Sequence, residues 1–404
     1  MKYVLVIPDG MGDRPVASLG SRTPLEAAST PNMDFFASAG VVGVSHNIPP
    51  GYIPGTDIGC MSVFGYDPRK YFTGRGPLEA AELGIELKEN EIAFRCNLVT
   101  VEGDVLKDFS ADHISLPEAK LLIESFDRLI GQDLGGQAKF YPGKGTGYRN
   151  LMILRDDRKE LPQVVCTGPH DIMGKKYGDY LPCGQHADIL IRIMRKSQEF
   201  FKDHGVNKKR LANGKGPASM VWLWGQGFSP SFPTFFKKFD FRGGVVTAVD
   251  LVKGIALHAG LDVVRVPGVT GYFDTNYVGK AEYAINSLRS RDFVAIHIES
   301  TDEAGHIGDP ALKIKAIEDV DRLVLGTLRR GLEEFGDYKL MVLPDHYTCV
   351  ETRTHSSDAV PFLIYDKRKE KHGPKSFSEK EAQKTGLSIS EGHTLMDKFV
   401  HESH

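Results

Sequence analysis

Strand-like apolar runs recur along the chain, and three of them end in acidic or imidazole side chains. The runs are YVLVIP (3–8), FVAIHIES (293–300) and KLMVLP (339–344). Asp9 follows the first run, Asp302 the second, and Asp345 with His346 the third. Because ligands bind at the carboxyl ends of strands in open, mostly parallel α/β sheets, we expect these side chains to meet at one edge.

Helical patterns alternate with the apolar runs. Residues 311–335 place apolar side chains at helical spacing, which predicts an amphipathic helix covering the sheet. Residues 243–261 resemble a strand that turns into a helix, and residues 262–268 resemble a following strand. This alternation predicts an α/β fold, with a mostly parallel sheet flanked by helices.

The alternation of strand-like runs and helical patterns changes between residues 86 and 215. Residues 110–134 read as a loop followed by a helix, and residues 161–185 are rich in Pro, Gly, Tyr and His. A chain of 404 residues also exceeds what one hydrophobic core usually supports. We therefore predict a core made of residues 1–85 and 216–404, with a smaller cap domain inserted as residues 86–215.

Composition narrows the class of protein. Hydrophobic residues make up 41% of the chain and charged residues 25%, and the net charge is −3, so nothing indicates disorder, a nucleic-acid surface or attraction to anionic membranes. Five scattered cysteines without CxxC spacing indicate reduced thiols. No apolar run has the length of a signal peptide or a transmembrane segment. The sequence therefore predicts a cytoplasmic protein.

The polar residues after the apolar runs have the chemistry of a two-metal site. His306 comes four residues after Asp302, and His355 precedes a further apolar run. Carboxylate oxygens mixed with imidazole nitrogens suit Mn²⁺, Zn²⁺ or, with more oxygen, Mg²⁺. The adjacent pair Asp345 and His346 would be costly to bury unless it is paired or metal-bound. Together these residues indicate a phosphoryl-transfer enzyme.

Each of these residues alone also has an ordinary structural interpretation. An Asp-Gly pair such as Asp9-Gly10 is typical of a turn, and Asp302 could cap a helix. A lone histidine such as His355 is more often a hydrogen-bonded structural residue. The joint pattern favours the metal site.

Glycine-rich segments do not match a nucleotide-binding loop. In GPHDIMGKK (168–176) five residues separate the two glycines where the Walker loop has four, and Lys176 stands where Ser or Thr is required. GRGP (74–77) is too short for a dinucleotide fingerprint. An ATP-binding P-loop is therefore rejected.

Nearly the full chain resembles the cofactor-independent phosphoglycerate mutases of the archaeal type, members of the alkaline phosphatase superfamily. The stretches that carry the resemblance include VLVIPDGMGDRP (4–15), IPGTDIGCMSVFGYDP (53–68), YFTGRGPLEA (71–80), TGYFDTNYVGKAE (270–282) and IESTDEAGHIGD (298–309). The resemblance implies an alkaline-phosphatase-like core formed by both chain ends, and a smaller α/β cap that closes over the substrate.

The resemblance also implies two ligand sets and a nucleophile. One metal site maps onto Asp9, Asp345, His346 and the oxygen of the nucleophile, and the second onto Asp302, His306 and His355. The nucleophile position in PGTDIG is Thr56, whose hydroxyl becomes a competent nucleophile when a divalent metal lowers its pKa. Two positions depart from the family pattern. Thr56 replaces the Ser of most relatives, and Cys60 stands where many relatives have His.

Basic residues are candidates for binding a substrate with two anionic ends. An arginine side chain presents a fork that matches carboxylate and phosphate, which makes Arg75 and Arg149 candidate substrate ligands. A single arginine is nevertheless more often a surface charge. The resemblance implies that Lys253 lies beside the reacting phosphate and that His113 is the cap's acid/base for the glycerate hydroxyls.

The implied function is the interconversion of 3-phosphoglycerate and 2-phosphoglycerate in glycolysis and gluconeogenesis, without 2,3-bisphosphoglycerate. It would proceed through phospho-Thr56 with two divalent ions, Mn²⁺ first and Zn²⁺, Co²⁺ or Mg²⁺ as alternatives. Alternative enzymes are a phosphotransferase with another acceptor, such as a homoserine kinase, and a metallophosphatase or phosphonate hydrolase. A non-catalytic metal-binding scaffold is the alternative outside enzymes. The sequence leaves the oligomeric state open.

Overall fold

The computed structural model describes residues 1–369 and 372–402. The chain divides into two compact units, one formed by Met1–Phe72 with Ser231–His404 and the other by Thr73–Pro230. The inserted unit is therefore longer at both ends than residues 86–215. The added segments are a helix that begins at Arg75 and a strand that begins at Met220, and both pack against the central strand of that unit.

The elements are numbered in chain order. The strands are β1 Lys2–Pro8, β2 Val41–Ser45, β3 Glu91–Glu102, β4 Val105–Asp108, β5 Ala138–Tyr141, β6 Arg149–Arg155, β7 Met220–Phe228, β8 Gly243–Val246, β9 Asp262–Val263, β10 Phe293–Ile298, β11 Tyr338–Val342, β12 Tyr347–Cys349, β13 Thr354–Ser356, β14 Val360–Asp366 and β15 Ser388–Ile389. The helices are α1 Pro24–Ala27, α2 Pro31–Ser38, α3 Thr56–Val63, α4 Pro68–Tyr71, α5 Arg75–Glu82, α6 Leu116–Asp133, α7 Asp188–Lys202, α8 Gly205–Ala212, α9 Phe235–Phe239, α10 Asp250–His258, α11 Tyr277–Leu288, α12 Ser300–Ile307, α13 Pro310–Asp319, α14 Gly326–Gly331, α15 Glu379–Lys384 and α16 Leu395–His401.

A mixed sheet forms the core of the first unit. Its strand order is β15-β2-β14-β11-β1-β10-β8-β9, and neighbouring strands are parallel except where β14 pairs with β11 and β2. Strand β1 is central and runs parallel to both β10 and β11. Its residues Val4 to Ile7 are completely buried, which explains their continuous apolar character. The predicted α/β core with a mostly parallel sheet is confirmed.

An antiparallel sheet forms the core of the second unit. Strand β3 pairs with β4, β6 and β7, and β5 pairs with β6. Helices α6 and α7 pack against this sheet and contribute apolar side chains such as Phe126 to the same hydrophobic cluster as Phe94. Trp222 is buried in β7, and its indole Nε1 donates to the carbonyl of Thr167 at 2.8 Å.

The segment 311–335 is helical, as predicted, but it is not one regular α-helix. Between α13 and α14 the chain forms a π-helical segment, Val320–Leu325. Asp321 in this segment accepts hydrogen bonds from the backbone N–H groups of Asn32 and Met33, at 3.1 and 2.7 Å. These groups lie in the first turn of α2, whose own N-cap side chain makes no capping bond. The wider turn of the π-helical segment thus places the carboxylate of Asp321 where it caps the start of α2.

The strand predicted for residues 262–268 is shorter in the structure. Only Asp262–Val263 pairs, at the edge of the sheet beside β8. Pro267 and Gly268 follow in a turn, where proline lacks the N–H that a longer strand would need. Among the described helices, none has the length and apolar character needed to cross a membrane.

Candidate metal and anion sites

The topology of the first unit brings three predicted segments to one sheet edge. Asp9 follows β1, α12 with Asp302 and His306 follows β10, and Asp345 and His346 follow β11. Because these three strands are adjacent and parallel, their carboxyl ends meet. The polar residues are close together for that reason, although nearly 340 residues separate the first from the last.

Helix α3 brings Thr56 to the same edge. A Cβ atom at Gly59 in this helix would lie 2.7 Å from the carbonyl oxygen of Asp345, so only glycine permits the close approach. Thr56 is the first residue of the helix, and its Oγ1 lies 3.4 Å from Oδ2 of Asp9. The positive end of the helix dipole therefore lies at Thr56, where it favours an anion.

The inner part of the site, which we call the inner cluster, comprises Asp9, Asp345 and His346. All three are completely buried. The Nε2 atom of His346 lies 3.4 Å from Oδ1 of Asp9 and 3.4 Å from Oδ2 of Asp345. Asp9 Oδ1 and His346 Nε2 nevertheless find no partner with hydrogen-bond geometry among the described residues. Because Nδ1 of His346 faces a carbonyl oxygen, Nε2 and Asp9 Oδ1 can both offer lone pairs, and two such atoms facing one another in a buried site suit a divalent cation.

The outer part of the site, which we call the outer cluster, comprises Asp302, His306 and His355. His306 Nε2 lies 3.2 Å from Oδ2 of Asp302, and His355 Nε2 lies 3.4 Å from Oδ1. The two imidazole Nε2 atoms are 3.0 Å apart. The hydroxyl of Thr348 donates to Asp302 Oδ1 and fixes that carboxylate.

The three imidazoles share one orientation. In each ring Nδ1 faces a backbone carbonyl oxygen: that of Tyr347 for His346 at 3.2 Å, that of Arg353 for His306 at 3.0 Å, and that of Pro54 for His355 at 3.2 Å. A carbonyl can only accept, so Nδ1 carries a proton in each ring, and Nε2 is the nitrogen that can bind a metal once it is deprotonated. Metal-binding histidines are typically held in this way.

Charge distribution differs between the two clusters. Burial, reinforced by the charges of Asp345 and Asp302, raises the pKa of Asp9 well above its usual range. Burial would also raise the pKa of Asp302, but hydrogen bonds to His306 and His355 hold it well below its usual range. The hydrogen bond to Asp302 raises the pKa of His306 to about 9.

Three groups of side chains among the described residues could each hold a metal ion, and two of them fall within the inner and outer clusters. In one, ligand atoms of Asp9, Asp345 and His346 lie within 4.8 Å of one another, and in the other those of Asp302, His346 and His355 do. The second group differs from the set implied by the sequence, because it contains His346 in place of His306. His346 thus belongs to both groups.

Two further residues adjoin the inner cluster, and sequence reasoning assigned neither to it. His297 is completely buried in β10, with Nε2 3.1 Å from Oδ2 of Asp9, and burial lowers its pKa to about 4. The thiol of Cys60, on α3, lies 3.7 Å from Oδ2 of Asp345, and burial raises its pKa well above the usual value. An ionisable residue inside the apolar run FVAIHIES was the signal for His297.

Lys253 lies on α10, which packs against α3. Its Nζ donates to Oδ1 of Asp250 at 2.8 Å, one turn earlier on the same helix. Lys253, which the resemblance implies lies beside the reacting phosphate, is therefore on the helix next to the one that carries Thr56. Its side chain is partly exposed.

A cluster of cations occupies the second unit. The guanidinium carbons of Arg75 and Arg95 lie 5.7 and 4.5 Å from the ring centre of Trp224. Burial and the nearby positive charges of Arg149 and Arg75 lower the pKa of Arg95. Arg95 pairs with Glu79 at 2.6 Å, but its Nε has no partner among the described residues. The structure thus brings Arg75 and Arg149 together around a buried arginine that sequence reasoning missed.

His113 lies in a loop with an unusual backbone. Ala111, Asp112 and His113 adopt left-handed φ angles of 50°, 53° and 45°. Consecutive left-handed residues other than glycine are strained and need support. The carboxylate of Asp108 accepts the N–H of Asp112 at 2.7 Å, and Arg210 donates to the carbonyl of Ala111 at 2.7 Å. The side chain of His113 is exposed, and the loop precedes α6.

Comparison with known sequences gives one family model that matches part of the chain and relatives that match nearly all of it. The family model for 2,3-bisphosphoglycerate-independent phosphoglycerate mutase matches residues 37–207. A protein of that name from Methanothrix thermoacetophila is 46% identical over 401 residues, which cover 99% of this chain and all of the relative. Another from Methanosarcina barkeri is 44% identical over 402 residues, 99% of each chain.

Two solved structures match this chain over nearly its full length. A Pyrococcus horikoshii protein matches with a TM-score of 0.82 and 33% identity, over 100% of this chain and 98% of that one. A cofactor-independent phosphoglycerate mutase from Thermoplasma acidophilum matches with a TM-score of 0.67 and 28% identity, over 99% of both chains.

Proposed function

We propose, because this chain belongs to the family of 2,3-bisphosphoglycerate-independent phosphoglycerate mutases, that it interconverts 3-phosphoglycerate and 2-phosphoglycerate through a phosphorylated Thr56. One observation carries the proposal. The hydroxyl of Thr56, at the start of α3, is 3.4 Å from Asp9 in a buried cluster of carboxylates and imidazoles that is suited to divalent cations. This position supports the proposal that the hydroxyl acts as a nucleophile.

The inner and outer clusters would hold two divalent ions. Asp9, Asp345, His346 and the Thr56 oxygen form the ligands of one ion, and Asp302, His306 and His355 form those of the other, with His346 in reach of both. Mixed oxygen and nitrogen ligands favour Mn²⁺, with Zn²⁺, Co²⁺ or Mg²⁺ as alternatives. When bound, such ions neutralise phosphoryl oxygens and lower the pKa of a hydroxyl.

The cations of the second unit would bind the anionic ends of the substrate. Arg75 and Arg149 offer planar forks that match carboxylate and phosphate. Arg95 supports them through its stacking on Trp224 and its pairing with Glu79. Lys253 would contact the reacting phosphoryl group, and His113 would exchange protons with the glycerate hydroxyls.

The reaction requires two in-line transfers. Thr56 Oγ1 loses its proton and forms a bond to phosphorus, while the bond between phosphorus and the 3-oxygen of the substrate breaks and that oxygen takes up a proton. Glycerate then reorients, and its 2-oxygen loses its proton and attacks the phosphorus of phospho-Thr56. The bond between phosphorus and Thr56 Oγ1 breaks and Oγ1 takes up a proton, which regenerates the threonine. Water must be kept from the phosphoenzyme between the two steps, because hydrolysis would release phosphate.

The deciding assay follows the phosphoryl group. Purified protein loaded with Mn²⁺ is given 3-phosphoglycerate in the absence of bisphosphoglycerate, with enolase coupled to detect 2-phosphoglycerate. We expect isomerisation to exceed phosphate release by on the order of a hundredfold, a difference of about 2.7 kcal/mol between competing barriers. Chelation should abolish the activity and Mn²⁺ or Co²⁺ should restore it, while ATP is not consumed.

Other outcomes would identify the alternatives. Release of phosphate as the main product would make the protein a phosphatase. Phosphorylation of homoserine from ATP, without isomerisation, would make it a kinase. A chiral phosphorus that emerges with inverted configuration would contradict the two-step transfer, since two inversions give retention.

A further inference from the structure

We propose that Cys60, His297 and Asp345 form a third ligand set that takes a soft divalent cation such as Zn²⁺ or Co²⁺ through a thiolate. The set depends on the proposed metal centre only through Asp345, which both share. The thiol sulfur, one imidazole nitrogen and one carboxylate oxygen lie within 4.8 Å of one another, and all three residues are completely buried. These distances allow a single ion to contact all three atoms after small side-chain movements.

The imidazole of His297 provides independent support. Its Nε2 is buried and has no partner with hydrogen-bond geometry among the described residues. Its Nδ1 lies 3.3 Å from the hydroxyl of Thr247, which also accepts the N–H of Val249 at 3.1 Å. Thr247 therefore fixes the ring and directs the orphaned nitrogen towards Asp9 and Asp345. The three histidines of the inner and outer clusters are also held at Nδ1, but by backbone carbonyls.

The sulfur atom determines which cation this set prefers. A thiolate is a soft ligand that favours Zn²⁺ and Co²⁺, whereas Mn²⁺ and Mg²⁺ prefer oxygen. The inner and outer clusters contain only oxygen and nitrogen ligands. When the cation binds, the thiol releases its proton to solvent and the sulfur donates an electron pair, so no oxidant or reductant is needed.

The alternative is that Cys60 is a small core residue whose thiol donates weakly to Asp345. Cobalt distinguishes the two cases, because a thiolate bound to Co²⁺ gives a charge-transfer absorption band in the near ultraviolet. We expect this band in the full-length protein loaded with Co²⁺, and we expect added Zn²⁺ to abolish it. The Cys60→Ser variant should lack the band.

The matched control is Cys349→Ser. Cys349 is also buried in the first unit, with its sulfur 3.8 Å from the hydroxyl of Ser356, and it belongs to no candidate ligand group. The control should keep the full band. A band that survives in Cys60→Ser, or that disappears in Cys349→Ser alone, would overturn the proposal.

A second measurement needs no variant. X-ray absorption of the Zn²⁺-loaded protein should include a sulfur neighbour at about 2.3 Å from zinc. Thr247→Val should weaken Zn²⁺ binding by about tenfold to a hundredfold in a chelator competition, because the ring of His297 loses its support. A zinc shell without sulfur would refute the thiolate ligand even if the mutase assay succeeds. Sulfur ligation without isomerase activity would instead leave this site intact and contradict the proposed function.

Discussion

The polar clusters of the two units are built from side chains of opposite charge. In the first unit Asp9, Asp302 and Asp345 converge with histidines, and buried atoms of Asp9 and His346 lack partners among the described residues. In the second unit Arg75, Arg95 and Arg149 converge, and Glu79 offsets part of their charge. Buried charges are costly unless they are compensated.

The chemistry of each cluster indicates the kind of ligand that it suits. Carboxylates and imidazoles suit metal ions, and guanidinium groups suit an anionic substrate. Under the proposed function the two units would divide the work, because one would hold the groups that make and break bonds to phosphorus and the other would hold the groups that recognise the substrate. Variants in the first unit should lower kcat, and variants in the second should raise KM.

The largest effect is expected at Thr56. Thr56→Ala removes the attacking oxygen and should lower kcat by at least about a thousandfold, or about 4 kcal/mol, with metal still bound. Thr56→Ser keeps the oxygen and should remain active. The control is Ser62→Ala on the same helix, because the hydroxyl of Ser62 donates to the carbonyl of Asn47. Steady-state kinetics comparable to wild type in Thr56→Ala would remove Thr56 from the mechanism.

A second prediction uses a buried carboxylate that lies outside both clusters. Burial raises the pKa of Glu379 from 4.5 to about 7, although the hydroxyl of Thr23 donates to it at 2.7 Å. Between these values the folded state binds more protons than the unfolded state, so the free energy of unfolding falls as pH rises through this window. In the Glu379→Gln variant the side chain at this position cannot ionise. The stability of wild type relative to this variant should fall by on the order of 3 kcal/mol from pH 4.5 to 7.

Denaturant unfolding at several pH values measures this difference. If the free energies of unfolding of wild type and Glu379→Gln change in parallel with pH, burial alone does not raise the pKa of a carboxyl group in this interior. The raised pKa of Asp9 would then depend on its charged neighbours.

Recognition by the second unit is tested at Arg149. Arg149→Met should raise KM for 3-phosphoglycerate by about tenfold, or about 1.4 kcal/mol, because one charge-assisted contact is lost while the nucleophile is unchanged. Arg155→Met is the control, since Arg155 ends the same strand and pairs with Asp157 on an exposed surface. If Arg149→Met lowers kcat with KM unchanged, the two units do not divide the work as proposed.

The smallest effect is expected on stability. Asp9→Asn removes a carboxyl whose ionised form is disfavoured by burial and by Asp345 and Asp302, so near neutral pH the chelated protein should gain about 1 kcal/mol. Added Mn²⁺ should stabilise wild type more than this variant, because a ligand is lost. Asp262→Asn, which breaks an exposed pair with Arg291, serves as the control. Thermal unfolding with and without metal tests both statements, and a loss of stability in chelated Asp9→Asn would contradict the raised pKa of Asp9.

The sequence predicted the family, the α/β class and the meeting of three strand ends, because apolar runs and the residues after them are local signals. It could not predict Arg95 or His297 as members of the clusters. Each sits within a buried strand, where the partners that explain its charge come from distant segments. The roles of Thr56, Lys253 and His113 remain predictions.

The sequence also did not predict the boundaries of the inserted unit or the irregular helix at residues 311–335. Arg75 was placed with the core, but it begins a helix that packs on β3 of the inserted unit. The π-helical segment depends on Asp321 reaching α2, a contact between residues almost 290 positions apart. Periodicity reports which face of an element is buried, and it carries no information on such pairings.

The central position of β1 sets an order of events during synthesis. Its neighbours β10 and β11 leave the ribosome only after nearly 290 further residues, whereas all of Thr73–Pro230 is available as one continuous segment before then. The inserted unit can therefore acquire its sheet on the nascent chain while both edges of β1 are still unpaired. An apolar strand with unpaired edges is prone to aggregation. We therefore expect the first seventy residues to be the part of the nascent chain that most needs a chaperone.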